Sequence, residues 1–295
     1  MTNPLARAAR GSFGLATVIS LNFIVDKLPS PRYHAGVKAL PAWIGAAAII
    51  SFSLGTPAYA AERTHDTDLR ETMEPGTTLA IRGIRGSIVA TAGDGNVASI
   101  HAHASSRDGD PSQVRVHATR AGNVVIVCAL YPGMTDCEDR SNRHSDPFTS
   151  DVTVDFSVSV PDGVKLRAEA VEGNVVATRL VSDVSASTVH GDVRIATAGQ
   201  AEARTVDGGI EATIGATPSA GDLSFETVNG PIHLTLPHDA NASISARTLS
   251  GPIDAPGLSV DENEYVGHTA TGRYGHGGPH ITLRSVNGPI NVSES

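Results

Sequence analysis

A frame of apolar residues around a glycine recurs seven times in this 295-residue chain and constrains its fold more than any other feature. An apolar residue stands seven, five and two places before the glycine, and another stands two places after it. Thr or Ser stands three places before it in five copies. The central glycines are Gly86, Gly173, Gly191, Gly208, Gly230, Gly251 and Gly288. So short a unit cannot bury its apolar side alone, so the copies are predicted to pack on one another.

Each copy has the pattern of two short strands joined at a corner. In the copy around Gly208, Ala201 and Ala203 alternate with polar residues, as in a strand with one buried face. Val206 is also apolar but stands three places after Ala203, so it does not continue this two-residue alternation. We expect Val206 to be buried as well, which requires a bend of the chain near Thr205.

The corner residues predict a particular backbone conformation. In five copies the glycine follows Asn, Asp, Ser or His, a pair suited to the positive φ of a tight corner. We therefore expect positive φ at Gly230 and Gly288. Pro follows the glycine in three copies and fits the first residue of a strand, where a missing N–H donor is tolerated.

Two all-β architectures accommodate this unit: an antiparallel meander with hairpin turns at the glycines, or a β-solenoid whose coils stack in parallel. From Gly173 onward the central glycines are spaced by 18, 17, 22, 21 and 37 residues, which fits coils of ~17–22 residues with two in the last interval. Small residues recur five places before the glycine in several copies, as expected if equivalent residues stack in parallel coils. Facing strands of a hairpin would instead need complementary pairs of large and small side chains. We predict a single-stranded, β-helix-like solenoid over residues 75–295, with loops at 131–150 and 258–278.

The solenoid makes a specific prediction about strand pairing. Val175 lies beside Val193, and Val193 beside Ile210, in parallel strands of neighbouring coils. Alanines such as Ala168 and Ala186 stack in a narrow core. A hairpin sheet would instead pair Val193 with the preceding strand of its own copy.

The first 60 residues have the features of an export signal. An apolar, uncharged run at 42–55 precedes an A-x-A sequence ending at Ala60, the order of a signal peptide and its cleavage site. The run has 14 residues, fewer than the ~20 that span a bilayer, so no stable transmembrane anchor is expected after cleavage. The part before it is unusually long, and we interpret residues 1–36 as an untranslated extension. Residues 61–74 are expected to be a linker, and the protein to be periplasmic, on the cell surface or secreted.

Charge and motif content exclude several functions. With 22 Lys and Arg against 31 Asp and Glu, the net charge is −9 and no basic block occurs, so nucleic acid is not an expected partner. The G-x-S-x-G and P-loop motifs are absent, and spacing singles out no pair of acidic residues. We predict a protein that is not an enzyme and has no cofactor. The alternative is a polysaccharide lyase or hydrolase on a β-helix.

Cys128 and Cys137 are the only cysteines. In an oxidising compartment an even count favours a disulfide between them, which closes a short ring after the apolar segment at 124–128. Two separate thiols are the alternative. The spacing is not C-x-x-C, so a redox or zinc-ribbon role is not supported.

Two groups of histidines contain residue types found at metal sites. His101 and His103 lie on one face of a predicted strand whose other face carries Ala102, and His117 is a candidate third ligand. The second, looser group consists of His268, His276, His280, Asp261, Glu262 and Glu264. Because surface imidazoles commonly bind no metal, we predict no metal site.

Five segments resemble a known family. They lie at residues 157–177, 187–199, 203–215, 226–237 and 277–292, and the fourth reads ETVNGPIHLTLP. Their T-V-x-G-x-I repeats resemble the bacterial "putative adhesin" domain family, and the resemblance covers most of residues 75–295. It implies an exported, β-helix-like protein without a catalytic motif. It also implies a structural or adhesin-like binding module for an unknown envelope or surface ligand, a glycan or a protein.

Overall fold

The computed structural model describes residues 62–137, 151–216, 221–263 and 267–295. The expected signal peptide at 1–60 and most of the expected loop at 131–150 lie outside these residues. The described residues form 21 β-strands and one 3-10 helix, Pro111–Gln113. None of the helical residues described belongs to a segment long and apolar enough to cross a membrane. The described chain is all-β, as predicted.

The strands have between two and ten residues. In chain order they are β1 (Arg63–Thr72), β2 (Thr78–Arg82), β3 (Ile88–Gly93), β4 (Val97–Ser106), β5 (Arg115–Ala121), β6 (Val124–Leu130), β7 (Thr153–Pro161), β8 (Lys165–Glu169), β9 (Val175–Leu180), β10 (Val184–Ser187), β11 (Val193–Thr197), β12 (Ala201–Asp207), β13 (Ile210–Ile214), β14 (Leu223–Asn229), β15 (Ile232–Leu236), β16 (Ala242–Ser250), β17 (Ile253–Asp254), β18 (Ser259–Asn263), β19 (Gly267–Tyr274), β20 (His280–Asn287) and β21 (Ile290–Glu294).

These strands form two sheets. Sheet I has ten strands in the order β1–β4–β7–β3–β9–β11–β13–β15–β21–β17. Sheet II has eleven in the order β18–β19–β16–β20–β14–β12–β10–β8–β2–β6–β5. In every copy of the frame the strand before the glycine lies in sheet II and the strand after it lies in sheet I. The inward side chains of both sheets form one continuous core, mainly of Ala, Val, Ile and Leu.

Strands of neighbouring copies pair in parallel. Val193 lies opposite Val175 on one side and Ile210 on the other. Ala186 likewise lies between Ala168 and Ala203. These expected pairings are confirmed. The local hairpin is not formed, because β10 and β11 belong to different sheets.

The strand before the glycine is straighter than the pattern of apolar residues indicated. Thr205 is buried, with 4 % of its surface exposed, whereas Val206 is 40 % exposed. The expected bend and the expected burial of Val206 are wrong, because inward side chains continue in unbroken alternation from Ala201 through Ala203 to Thr205. Thr can face the core because its hydroxyl donates to the carbonyl oxygen of Gly191 at 2.9 Å.

The central glycines do not share one backbone conformation. Four have φ between 119° and 151°, namely Gly86, Gly173, Gly191 and Gly251. Gly230 and Gly288 lie outside this positive-φ region, so the prediction made for these two is wrong. A different constraint selects glycine there.

Close packing between copies is that constraint. A Cβ on Gly230 would overlap the carbonyl oxygen of Gly208, and a Cβ on Gly288 would overlap that of Gly230. Gly251 stands in the same relation to Gly288. The backbone of one copy thus lies directly against the corner of the next, and a side chain here would push the two copies apart.

Strand order in the sheets departs from chain order at both ends of the stack. β20 lies between β14 and β16, and β21 lies between β15 and β17. The copy around Gly288 therefore lies between the copies around Gly230 and Gly251, and not at the end of the stack. At the opposite end β6 and β7 lie outside β2 and β3, so the copy around Gly86 is also one layer in.

Two segments expected to lack regular structure contain strands. The expected linker at 61–74 forms β1, which pairs antiparallel with β4. The expected loop at 258–278 forms β18 and β19, and β19 pairs antiparallel with β16. All three lie at or beside the edge of a sheet. Few of their side chains are buried, so the apolar alternation that reveals a strand in sequence is weak.

Candidate functional site

In-register parallel strands arrange equivalent residues of the copies in columns. The column directly before the central glycines is polar and consists of Arg85, Glu172, His190, Asp207, Asn229 and Asn287, followed by Ser250. Arg85 Nε donates to Glu172 at 2.8 Å. The Asn229 amide donates to Asp207 at 2.6 Å and accepts from Asn287 at 2.9 Å. The corner is therefore a polar ladder that faces solvent.

The column directly after the glycines shows why only some copies carry Pro. The side-chain oxygen of Asn174 accepts the backbone N–H of Asp192 at 2.8 Å, and the Asp192 carboxylate accepts that of Gly209 at 2.7 Å. Gly209 offers no side-chain acceptor to the next copy, and that copy has Pro231, which has no N–H. Pro thus occurs where the preceding layer supplies no acceptor.

An interior column of hydroxyl groups ties each copy to its neighbour. Its members are buried: Thr188, Thr205, Thr227, Thr248 and Ser285. Each hydroxyl donates to the carbonyl oxygen of the central glycine in the adjacent layer, at 2.9–3.2 Å. The sequence contains both partners, but a bond between different copies becomes visible only once the layers are placed in order.

An apolar ridge runs along the outside of sheet II. Val206, Val228 and Val286 are 38–40 % exposed and line one shallow depression; we call them the valine ridge. In the same depression Arg204 Nε lies 3.3 Å from a carboxylate oxygen of Glu226. The frame position that the sequence pattern assigned to the core is therefore available for contacts outside the fold.

On the outside of sheet I, two histidines of β4 meet two aspartates of β1. In the antiparallel register His103 faces Asp66, and His101 faces Asp68. His103 Nδ1 lies 2.6 Å from Asp66 Oδ1, and His101 Nδ1 lies 2.9 Å from Asp68 Oδ1. The hydrogen bond with His103 lowers the pKa of the Asp66 carboxyl below its usual value. We call these four residues the His–Asp cluster.

The structure changes the set of candidate metal ligands that the sequence placed around His101 and His103. His117 lies on β5 in sheet II, the other sheet, so it is not a third ligand for His101 and His103. The third group is Asp66 from β1, which the sequence pattern missed because that segment resembled a linker. Over the four described ranges, Asp66 with the two β4 histidines is the only group of three candidate metal ligands. Glu264 of the second group lies outside the described residues.

Cys128 and Cys137 are joined by a disulfide, with Cα atoms 5.6 Å apart. Cys128 is buried in β6, and the guanidinium of Arg82 donates to the carbonyl oxygen of Cys137 at 3.1 Å. The predicted pairing is confirmed. It attaches the beginning of the connection between β6 and β7 to sheet II.

The far end of the same connection is held by Asp151. Its carboxylate accepts from the Ser106 hydroxyl at 2.6 Å and from the N–H groups of Asp108 and Gly109 at 2.9 and 3.2 Å. These hydrogen bonds, the one from Ser106 foremost, lower the pKa of Asp151 to about 2. The carboxylate thereby fixes the turn after β4 against the start of β7.

Two packed sheets, glycine corners and in-register polar columns together define an all-β repeat protein. A family model described as Toastrack DUF4097 matches residues 85–293, and the chain belongs to this family. The match confirms the resemblance to the "putative adhesin" domain family.

Several solved structures are similar to the chain. One solved structure is a putative cell adhesion protein from Clostridium sporogenes, with 11% identity, a TM-score of 0.48, and 78% of this chain and 100% of that chain covered. Another is a putative adhesin from Bacteroides fragilis, with 10% identity, a TM-score of 0.31, and 80% and 99% covered. No curated protein matches.

Proposed function

We propose that this chain is an exported cell-envelope protein whose residues 75–295 form a β-solenoid that acts as a structural or adhesin-like binding module. In this proposal residues 1–36 are not translated, and residues 37–60 are removed as the signal peptide. The mature protein acts in the periplasm, at the cell surface or outside the cell. Its ligand is an envelope or surface glycan or protein.

Support for the solenoid comes from the path of the chain. At each glycine corner the chain crosses from sheet II to sheet I, and most copies then begin again one layer further along. Backbone bonds between successive corners, such as Gly191 N–H to the carbonyl oxygen of Asp207 at 3.0 Å, connect the layers. Such stacking of single-repeat layers is the organisation of solenoids.

The observation that carries the functional proposal is the pairing of charges along the outer faces of the two sheets. The ion pairs include Arg82–Glu169, Arg85–Glu172, Lys165–Asp183, Arg194–Glu211 and Arg204–Glu226, at 2.6–3.3 Å. A glycoside hydrolase instead needs two carboxyl groups that flank the scissile bond, one of them with a raised pKa. Rows of paired charges suit contacts with an extended partner better than acid–base chemistry.

The valine ridge supplies the apolar part of such a surface. Exposed apolar patches bordered by polar residues are characteristic of interaction sites. Thr205 and Thr227 face the core beside it, so Val206 and Val228 face outward in each layer. The ridge therefore repeats along the stack, as a surface for an extended ligand would.

Export is tested by expressing the gene from its own upstream region with a C-terminal tag in a bacterium and sequencing the N-terminus of the protein recovered from the envelope. We expect a product that begins at residue 61. A peptide from residues 11–26 in the precursor would contradict the later translation start. Recovery of intact precursor in the cytosol alone would contradict export.

Binding is tested by presenting purified protein to arrays of envelope glycans and envelope proteins. We expect saturable binding without chemical change of the ligand, and weaker binding after Val228→Lys. Val89→Lys, the same change at a 41 % exposed valine of sheet I that belongs to neither the valine ridge nor the ion pairs of the outer faces, is the matched control and leaves binding unchanged. Release of new reducing ends or unsaturated sugars by the purified protein would instead support the carbohydrate-active enzyme.

A further inference from the structure

We propose that the His–Asp cluster binds one divalent transition-metal ion of the Zn²⁺ type, with Asp66, His101 and His103 as the protein ligands. The proposal rests on the geometry of β1 and β4 and is independent of the proposed binding function.

The three residues already lie close enough to share an ion. One candidate ligand atom from each can be chosen so that all three lie within 4.8 Å of one another. They project from two strands that pair over ten consecutive residues, from Arg63 opposite Ser106 to Thr72 opposite Val97. Such a register holds the side chains of opposite residues together on one face of the sheet.

The scaffold beneath the cluster is rigid. Ala102 and Ala104 alternate with the two histidines and are 1 % and 4 % exposed, so β4 cannot rotate without exposing them. On its other side β4 pairs with β7, which places Asp155 opposite His103 and Ser157 opposite His101. Sites built on strands between strands hold their ligands more precisely than sites on loops.

The ligand chemistry selects the class of ion. Two imidazole nitrogens and one carboxylate oxygen are a donor set for Zn²⁺, Cu²⁺ or Ni²⁺, whereas Ca²⁺ takes six to eight oxygens. At metal–ligand bonds near 2.0–2.1 Å, tetrahedral ligand atoms are about 3.3 Å apart. His101 Nε2 and Asp66 Oδ1 are 4.0 Å apart, so a small movement closes the pair around an ion.

Asp68 acts as a positioning residue in this arrangement. Its carboxylate contacts His101 Nδ1 at 2.9 Å, which leaves Nε2 on the side of Asp66. A carboxylate that holds the outer nitrogen of a histidine is a frequent partner of metal-bound imidazole. The ion would replace the direct contact between His103 and Asp66. Because these two side chains are 41 % and 56 % exposed, they can adjust, and water can complete the coordination.

The test is equilibrium dialysis and calorimetric titration of the purified, tag-free exported protein with ZnCl₂. We expect one ion per chain. His103→Gln and Asp66→Asn weaken binding by at least about ten-fold, and Asp68→Asn by about ten-fold. His117→Gln, which changes an exposed histidine on the other sheet, leaves affinity unchanged.

A spectroscopic arm separates coordination at the cluster from adventitious binding. With Co²⁺ in place of Zn²⁺, the parent protein and the His117→Gln protein show the visible absorption of a tetrahedral site, and the His103→Gln protein does not. The changed side chains are exposed, so circular dichroism should show every variant folded. Absence of saturable binding, or equal affinity in the parent, Asp66→Asn and His103→Gln proteins, would overturn the proposal.

Discussion

The Thr227 hydroxyl lies 2.9 Å from the carbonyl oxygen of Gly208, within the stack and 4 % exposed. Sequence alone places a small polar residue and a glycine at fixed positions of each repeat. It does not show that they bond between different layers, because the partner lies one copy away. This bond explains how a polar residue occupies a core position in five copies.

Removing that hydroxyl is expected to destabilise the stack. Thr227→Val keeps the shape but leaves the carbonyl oxygen of Gly208 without this donor, which costs about 1–3 kcal/mol of unfolding free energy. Thr227→Ser keeps the donor, and Ser285 fills the same place in another copy. Chemical denaturation of both variants checks this, and equal stability of the two would contradict it.

Gly230 provides a second test at the level of single residues. Gly230→Ala places a Cβ against the carbonyl oxygen of Gly208 and should cost about 3 kcal/mol, the upper end for overpacking, by separating two layers. Gly95 has φ of +74° and nothing within 4 Å of a Cβ, so Gly95→Ala carries only the backbone strain, about 1–2 kcal/mol. Urea unfolding measures both. The explanation by steric contact fails if Gly95→Ala is the more destabilising change.

Asp151 makes stability depend on acid pH. Its folded-state pKa of about 2 lies below the ordinary value of 3.8, so its hydrogen bonds stabilise the fold above about pH 4. That stabilisation is lost as the pH falls toward about 2. Asp151→Asn should lower the thermal midpoint near neutral pH, and the gap to the parent should close in acid. Thermal melts followed by circular dichroism would contradict this if the gap stayed constant with pH.

Among the elements, the strands that flank each central glycine could be predicted because their alternation reports a buried face. Strands β1 and β18 could not, since each forms the edge of a sheet with a single partner. The exposure of Val206 was missed for a related reason. Val206 is apolar but lies on the surface, whereas its polar neighbour Thr205 is buried with its hydroxyl hydrogen-bonded to the carbonyl oxygen of Gly191. Hydrophobicity alone cannot distinguish a buried Val206 with an exposed Thr205 from the observed reverse.

The packing of β10 between β8 and β12 sets a limit on side-chain size. Ala186 is 1 % exposed and lies between Ala168 and Ala203, so Ala186→Leu should overpack the core and cost about 1–3 kcal/mol. Arg194→Ala removes an exposed ion pair with Glu211 and should change stability by less than about 1 kcal/mol. Denaturant midpoints compare the two. A fully tolerated Ala186→Leu change would contradict a tightly filled interior.

At the scale of the whole molecule, the glycine spacing predicted stacked layers but not their order. The 37 residues between Gly251 and Gly288 are compatible with two further layers at the end of the stack. The structure instead places the β20–β21 layer between the β14–β15 layer and the β16–β17 layer. The two aspartates of the His–Asp cluster were missed for the same kind of reason, because their place beside His101 and His103 depends on a pairing of β1 with β4 that neither strand's own pattern reveals.

Because the β20–β21 layer lies inside the stack, we expect deletion of residues 280–295 to disturb cooperative unfolding more than deletion of residues 62–72. Deleting residues 280–295 removes a strand from inside each sheet, and the shortened protein should lose its cooperative unfolding transition. Deleting residues 62–72 removes only the edge strand β1, and a cooperative transition should persist. Thermal and urea unfolding followed by circular dichroism measure both. A sharp transition after the first deletion would contradict the internal position of β20 and β21.

This insertion also determines when the chain can finish folding. Most layers form by local closure, as between His190 and Asp207, which are 17 residues apart; the inserted layer joins Asn287 to Asn229 across 58 residues. Longer closures lose more chain entropy and slow folding. Until residues 280–294 arrive, β14 and β16 each present an unpaired edge, the feature of a sheet most prone to aggregation. A chain that emerges N-terminus first therefore cannot complete either sheet before β20 and β21 have emerged.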